Sequence, residues 1–264
     1  MVNFMMKKLS SLLLCLVFGI IFIGCDKHYN TESNKDQKNI SLVDLYKEGE
    51  DYYLGTNGKE KDYKHAFEIF KKAAEQGHTK AQVDLAQMYY DGVGTSTNYE
   101  QAFFWLEKAA KSEAPAAFYN LGVMYKEGKY VKQNNVQALK YFEQSAKKGF
   151  PEAQFTLGTM YYQGDGVEED EQKGIQLYMD AAKQGHQRAK FNLGNYYLKH
   201  EDISQAKKIY EELANENYGM AQYNLGYIYL SHFNDEEKAK HWFKLANFNG
   251  VKEAKVALDE LGES

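Results

Sequence analysis

The sequence predicts an all-α solenoid built from antiparallel helix pairs, and three observations predict it. Alanines recur at steps of 36, 36, 36, 32 and 33 residues, at Ala81, Ala117, Ala153, Ala189, Ala221 and Ala254. Most of them begin a copy of the pattern small–x–x–x–Leu–Gly–x–x–Tyr, and the fullest copy, at 153–170, closes with a Gly–x–Gly loop. A fixed period of this length is typical of stacked helix pairs in which each unit packs only on its neighbours.

The composition is typical of a soluble protein, apart from a large number of tyrosines. The 264 residues are 44% hydrophobic, include 22 Tyr and only 2 Pro, and carry a formal net charge of −5. General nucleic-acid binding requires a basic surface that neutralises phosphates, and this charge balance argues against it. We therefore expect no nucleic-acid partner.

Residues 1–24 are predicted to be a lipoprotein signal peptide. Lys7 and Lys8 form a short positive region, and the mostly apolar stretch of 15 residues that follows is short for a membrane-spanning helix. The stretch ends in the sequence FIGC, whose last residue is Cys25. This ending resembles the lipobox of bacterial lipoproteins, in which cleavage precedes the cysteine and its thiol is acylated. An uncleaved anchor and a plain secretory signal are the alternative interpretations.

The lipobox resemblance implies how the rest of the chain is held at a membrane. Residues 25–40 would be the lipidated Cys25 followed by a flexible tether, because the segment is almost entirely polar. The body would face the periplasm from the bacterial cell envelope, on the inner or the outer membrane, with the N-terminal lipid as its only membrane contact. Cys15 would leave with the signal peptide, so the mature body would contain no disulfide.

Residues 41–264 are predicted to form about six helix-pair units with a C-terminal capping helix. The first unit is degenerate, with Glu48 at the position of the pattern's leucine, and a polar terminal unit suits a solenoid cap. Three regular units follow. After Tyr197 and Tyr229 the Gly–x–Gly loop is missing, so the last two units have a loop about four residues shorter. Residues 254–261 then supply one further amphipathic helix.

The repeat resembles the Sel-one-like repeat (SLR) family, which is related to tetratricopeptide repeats. The family pattern A–x–x–x–L–G–x–x–Y–x–x–G–x–G–V–x–x–D–x–x–K–A is matched almost fully from Ala153 to Asp170 and well at 81–102. The resemblance covers residues 42–261. It implies a right-handed superhelix of helix pairs that is used for protein–protein contacts.

The sequence offers no recognisable catalytic or metal-binding motif. It contains no H-E-x-x-H, no G-x-S-x-G and no paired C-x-x-C motif. The Gly–x–Gly sequences at 92–94 and 164–166 lack the third glycine of a dinucleotide loop, and we interpret them as turns between helices. His78 and His186 follow a glycine at the same repeat position, which indicates cap hydrogen bonding. We expect no cofactor, no metal and no enzymatic activity.

Aromatic residues define a second face on the first helix of each unit. At 100° per residue, the Ala, Leu and Tyr of the pattern fall within about 80°, whereas positions 2, 6 and 9 after the Ala cluster within about 60° on another face. In tetratricopeptide-like superhelices this face lines the concave groove. We predict a partner-binding groove lined by Tyr46, Tyr53, Tyr90, Tyr119, Phe155, Tyr162, Phe191 and Tyr223. The alternative is that these rings stack as core between neighbouring helices.

These patterns favour a non-catalytic protein-binding scaffold or adaptor tethered to the bacterial envelope. Its partner would be another protein or a peptide segment, held in an aromatic-lined groove. One alternative is an immunity protein that neutralises a toxic effector in the periplasm, as some tethered SLR lipoproteins do. A second alternative, a cell-envelope hydrolase, is disfavoured because no nucleophile–base pair emerges from the sequence.

Overall fold

The computed structural model describes residues 41–263, so the predicted signal peptide, Cys25 and the predicted tether lie outside the described residues. Within that range the chain forms thirteen α-helices and no strand, which confirms the predicted all-α solenoid. The helices are α1 (Leu42–Leu54), α2 (Tyr63–Glu75), α3 (Thr79–Asp91), α4 (Tyr99–Lys111), α5 (Pro115–Glu127), α6 (Asn135–Lys147), α7 (Pro151–Gln163), α8 (Glu171–Lys183), α9 (Gln187–Lys199), α10 (Ile203–Asn215), α11 (Gly219–His232), α12 (Glu236–Phe248) and α13 (Lys252–Glu260).

Consecutive helices pair into six units, and α13 follows the last pair. We call the odd-numbered helices α1 to α11 the A helices and their even-numbered partners α2 to α12 the B helices. Each helix packs on the helix before it and the helix after it along the chain. The connection between α7 and α8 spans 164–170, whereas α9 and α10 are joined by 200–202 and α11 and α12 by 233–235. The shortened loops of the last two units are therefore confirmed.

Local sequence signals set where the helices begin and end. Every B helix begins after an Asp or Asn whose side chain accepts a hydrogen bond from a backbone N–H of the first turn. His78 and His186 cap α3 and α9, because each Nδ1 accepts from a backbone N–H at 3.2 Å. The capping role predicted for these two histidines is confirmed. The first four A helices end at a glycine with left-handed backbone, such as Gly92 at φ 72°.

A small residue on the A helix faces a large one on the B helix within each unit. Where the fifth residue after the pattern's alanine is glycine, a Cβ there would lie 2.5–2.9 Å from an aromatic ring carbon of the B helix. These pairs are Gly49–Phe70, Gly122–Phe142, Gly158–Tyr178, Gly194–Tyr210 and Gly226–Phe243. In the second unit Ala86 takes the glycine's place and Leu106 takes the place of the ring, and both are buried. The glycine of the repeat's Leu–Gly therefore leaves the space that a B-helix ring occupies.

Candidate partner-binding groove

Three clefts follow one another along the A helices, and we call the surface that contains them the A-helix face. The first, of about 200 Å³, lies between α1 and α3 and includes Tyr46 and Tyr53. The second, of about 220 Å³, lies between α3 and α5. The third, of about 430 Å³, extends over α5, α7 and α9 and includes Phe155 and Phe191.

The clefts bring together most of the predicted groove residues. Six of the eight line a cleft: Tyr46, Tyr53, Tyr90, Tyr119, Phe155 and Phe191. Tyr162 and Tyr223 line none of these three. Phe155 is buried at 9% exposure, and the other seven rings are half-buried. Six of the eight rings thus form cleft walls, and the role of all eight in binding stays a prediction.

Rings at position 2 of the repeat pack on the B helix of their own unit. Their centroids lie 5.5–5.9 Å from a B-helix ring in the pairs Tyr46–Phe70, Tyr119–Phe142, Phe155–Tyr178, Phe191–Tyr210 and Tyr223–Phe243. Four of them also contact the residue that directly precedes the next A helix. These pairs and their centroid distances are Tyr46–His78 at 4.5 Å, Tyr119–Phe150 at 5.6 Å, Phe155–His186 at 4.7 Å and Phe191–Tyr218 at 5.4 Å. Each of these four rings therefore joins its own unit to the following one.

Rings at position 9 pack in a similar way near the loop end of the A helix. Tyr53 contacts Tyr63 at 5.1 Å between centroids, and Tyr90 contacts Tyr99 at 5.2 Å. Tyr162 lies 6.1 Å from the ring of Tyr178. These contacts hold the three rings in fixed positions, and Tyr53 and Tyr90 form part of the walls of the first and second clefts.

A row of polar side chains lies among the rings, and the aromatic pattern did not reveal it. The third residue after the pattern's alanine is Asp84, Asn120, Thr156, Asn192 and Asn224 in units two to six. Hydrogen bonds cross between units here, from the Asn120 amide to Gln87 at 3.4 Å and from the Asn224 amide to Asn195 at 3.2 Å. The signal that could have found this row is the recurrence of short polar side chains at one repeat position.

Buried hydroxyl groups support this polar row. The Tyr210 hydroxyl donates to Asn195 Oδ1 at 2.7 Å, and burial raises the pKa of Tyr210 to about 12. The Tyr46 hydroxyl donates to Asp84 Oδ2 at 2.8 Å. Burial is the largest cause, and the Asp84 carboxylate the second, that raises the pKa of Tyr46 well above its usual value. These hydroxyls stay protonated at neutral pH and act as hydrogen-bond donors.

The described residues show neither a metal centre nor a membrane span. No group of three or more His, Cys, Asp or Glu is placed to hold a metal ion anywhere in 41–263. No helix in the part of the chain that the structure describes is both long enough and apolar enough to cross a bilayer. The A-helix face contains aromatic walls, hydrogen-bonding groups and charged side chains.

The family is decided by the match of the repeats to a known model. The Sel1 repeat model matches 49–78, 79–113, 115–150, 151–186 and 219–247, which together exceed half of the chain. The chain belongs to the Sel1 repeat family. The unmatched segment 187–218 contains α9 and α10, which pair like the helices of the other units.

Solved structures of Sel1 repeat proteins share this architecture. A Sel1 repeat protein from Oxalobacter formigenes is 30% identical with a TM-score of 0.71, over 79% of this chain and 88% of that chain. A protective antigen of uropathogenic Escherichia coli strains with an SLR fold is 28% identical with a TM-score of 0.72, over 84% of this chain. This chain spans about half of that antigen, 49% of its length.

An immunity protein from Pseudomonas aeruginosa shares the fold at greater distance. It is 24% identical with a TM-score of 0.55, over 80% of this chain and 83% of that chain. A comparison with functionally curated proteins returned no significant match.

Proposed function

We propose that this Sel1 repeat protein is a non-catalytic scaffold that binds another protein through its A-helix face and is tethered to the bacterial envelope by lipid at Cys25. The observation that carries the proposal is the row of three clefts along one face, walled by rings at fixed repeat positions. Large aromatic walls with polar groups between them are typical of protein-binding surfaces.

The packing of the rings favours binding because it lowers the entropy lost on association. Tyr119 lies 5.6 Å from both Phe142 and Phe150, so its position is set before a partner arrives. Immobilising a free side chain at an interface costs about 0.5–1.5 kcal/mol, and a ring that is already packed avoids most of that cost. A rigid groove of this kind suits a scaffold that meets its partner repeatedly.

Blocking the clefts with arginine is expected to abolish partner capture. Gln87 lines the first and second clefts, Gln163 lines the third, and both side chains are exposed. The double variant Gln87→Arg/Gln163→Arg fills the face with two long side chains and leaves the half-buried rings untouched. We expect at least a tenfold loss of partner recovered from native envelope, measured by quantitative mass spectrometry, because about 1.4 kcal/mol of lost binding gives that factor.

The matched control places the same residue change on the B helices. Gln144 and Gln172 are exposed on α6 and α8, and Gln144→Arg/Gln172→Arg changes the net charge by the same amount. This variant is expected to capture the partner like the original chain. Equal capture by both double variants would show that binding does not use the A-helix face. Arginine variants are preferable to alanine at the rings, since removing a packed ring would also disturb the fold.

Replacing Cys25 by serine is expected to release the protein from membranes. The proposed lipid is attached through the Cys25 thiol, and serine has no thiol to acylate. Metabolic labelling with a fatty-acid analogue should fall to background in Cys25→Ser, and the chain should no longer pellet with the membrane fraction. Cys15→Ser is the control, because that cysteine lies within the proposed signal peptide. Unchanged labelling of Cys25→Ser would refute the lipobox interpretation.

Neutralisation of a toxic effector is one form of this binding function. The Pseudomonas aeruginosa immunity protein has the same fold, and a tethered scaffold at the periplasmic face could intercept such an effector. An immunity role predicts that the captured partner is a toxic enzyme whose activity falls when the chain is added in equimolar amount. A purified chain that hydrolysed cell-wall fragments, and lost this with one point mutation, would instead support the hydrolase alternative.

A further inference from the structure

The first cleft differs from the other two in its chemistry. Its inner wall is apolar, with the rings of Tyr46, Tyr53 and Phe70 and the side chain of Met88. Its volume of about 200 Å³ is enough for one long side chain and too small for a helix of about 10 Å diameter. The cleft therefore suits insertion of a single residue from a partner.

Three carboxylates line this cleft, and no basic residue lines it. Glu50, Asp84 and Asp91 are its charged residues, and no lysine, arginine or histidine is among them. Across the described range 41–263, none of the three carboxylates lies within 4.0 Å of a basic nitrogen. Their negative charge is thus left without a direct ion pair.

More distant basic groups compensate the charge of Asp84 only in part. Burial raises the pKa of Asp84, and Glu50 adds to the rise. The hydrogen bond from Tyr46 and the longer-range attraction of Lys80 and His78 lower the pKa without cancelling the effect of burial. A cation placed in the cleft would stabilise the Asp84 carboxylate that burial disfavours.

The neighbouring clefts lack this arrangement. No charged residue lines the second cleft, whose walls include Gln87, Asn120 and Val123. The third cleft has mixed charge, because Arg188 and Lys126 line it together with Glu152. An apolar cleft whose charged lining residues are all carboxylates is therefore found at only one end of this series of three.

We propose that the first cleft accepts the side chain of a lysine or arginine from an extended segment of the partner protein. This inference rests on the proposed function of the A-helix face. The aliphatic part of such a side chain would lie against Tyr46 and Tyr53, while its cationic end meets Asp84, Glu50 and Asp91. The three carboxylates do not form a metal-binding group, so a metal ion does not fit the cleft in the same way.

The segment is extended because the clefts are spaced along stacked helices. Packed helices lie about 8–10 Å apart, and an extended chain covers that distance in about three residues. A partner segment could place one side chain in each successive cleft, where Asn120 of the second cleft and Asn192 of the third could form hydrogen bonds with its backbone. Only the side chain in the first cleft would need a positive charge.

Fluorescence anisotropy with four matched peptides tests this proposal on the full chain in mild detergent. The peptides have 12 residues in an alanine–serine host and differ only at the central residue, which is Lys, Arg, Gln or Glu. We expect the Lys and Arg peptides to bind at least about tenfold more tightly than the Gln peptide, with a preference that weakens as salt rises. Equal binding of the four peptides, including no measurable binding of any, overturns the proposal.

Two conservative variants test whether the preference for Lys and Arg peptides arises in the first cleft. Asp84→Asn keeps an oxygen for the Tyr46 hydrogen bond and removes the charge, and Glu50→Gln removes a second charge. Each variant should lose most of the preference for Lys and Arg, with a thermal midpoint no lower than that of the original chain, because burial and Glu50 disfavour the Asp84 charge. Glu68→Gln is the control, because Glu68 is exposed on the B helix α2 and the variant changes the net charge equally. A preference that persists in Asp84→Asn overturns the proposal.

The same variants separate this proposal from the proposed function. Partner capture that is lost in Gln87→Arg/Gln163→Arg, yet unaffected by Asp84→Asn and Glu50→Gln, supports the scaffold function and overturns the basic side chain. Partner capture that survives all these variants overturns both.

Discussion

Replacing Gly122 with alanine is expected to lower the thermal midpoint of the full chain by about 4–8 °C. A Cβ at this position would lie 2.7 Å from Phe142 Cε1 and 3.2 Å from the backbone oxygen of Ala138. Phe142 is 1% exposed, and the cavity that it lines, of about 20 Å³, leaves its ring little space into which it could move. Overpacking of a core costs about 1–3 kcal/mol, and a cost at the upper end leaves about 2 kcal/mol net of the gain in helix propensity, which corresponds to that shift in a chain of this size.

Two opposing contributions decide whether Gly122→Ala raises or lowers the thermal midpoint. Alanine in place of glycine in a helix interior contributes about 1 kcal/mol of stability through helix propensity. The overlap with Phe142 and with Ala138 outweighs that gain because one of the contacted atoms belongs to the backbone. If the thermal midpoint rises instead, the A and B helices are separating to make room, and the packing described for the unit is wrong.

A second substitution in the B helix should rescue the first. Gly122→Ala/Phe142→Leu recreates the pair that the second unit already contains, Ala86 with Leu106. We expect the double variant to lose less stability than the two single variants lose in sum. The difference, measured in a double-mutant cycle, should be about 1–3 kcal/mol. Additive effects would mean that the glycine and the ring do not constrain each other.

The helix pairs could be predicted from the sequence because their signals are local. The repeat period, the Asp or Asn before each B helix and the glycine after most A helices each depend on a few neighbouring residues. His78 could be assigned as a cap because His186 stands at the same repeat position. Repetition therefore supplied the information that an alignment of related chains would otherwise provide.

Many of the aromatic lining residues of the clefts could be predicted, but the ring packing and the acidic lining of the first cleft could not, because they depend on how units stack. A helical wheel places Tyr46 opposite the packing stripe, yet the ring packs on Phe70 of α2 and on His78 of the next unit. The acidic cleft joins Glu50 of the first unit to Asp84 and Asp91 of the second. Residues this far apart in the chain meet only through the angle and spacing between A helices, and the repeat pattern does not specify either.

Gly94 of the second unit contacts the backbone of Tyr63 in the first unit. The substitution Gly94→Ala is expected to lower the free energy of unfolding by about 3 kcal/mol or more. The glycine has a left-handed backbone at φ 71°, and a Cβ would lie 2.2 Å from the backbone oxygen of Tyr63, the first residue of α2. Because Tyr63 Cα and its carbonyl belong to the start of a helix, the loop has to move away from the first unit.

The equivalent glycine of the fourth unit separates the two causes of this loss. Gly166 has φ 74°, and the nearest atom to its Cβ would be Met160 Cε at 3.9 Å. Gly166→Ala should therefore lose only the left-handed backbone cost of about 1–2 kcal/mol, whereas Gly94→Ala adds the clash with Tyr63. Thermal unfolding followed by circular dichroism measures both variants, and equal midpoints would show that the loop contact with Tyr63 carries no strain.

The same pair of variants links the stacking of units to binding. Val93 lines the first cleft beside Tyr53, whose ring contacts Tyr63, so a loop displaced by Gly94→Ala changes the cleft wall. At a temperature where both variants are folded, Gly94→Ala should weaken binding of the Lys and Arg peptides, and Gly166→Ala should leave it unchanged. Equal binding by the two variants would mean that the first cleft keeps its shape independently of the loop. The cleft's selectivity would then come from its carboxylates and rings alone.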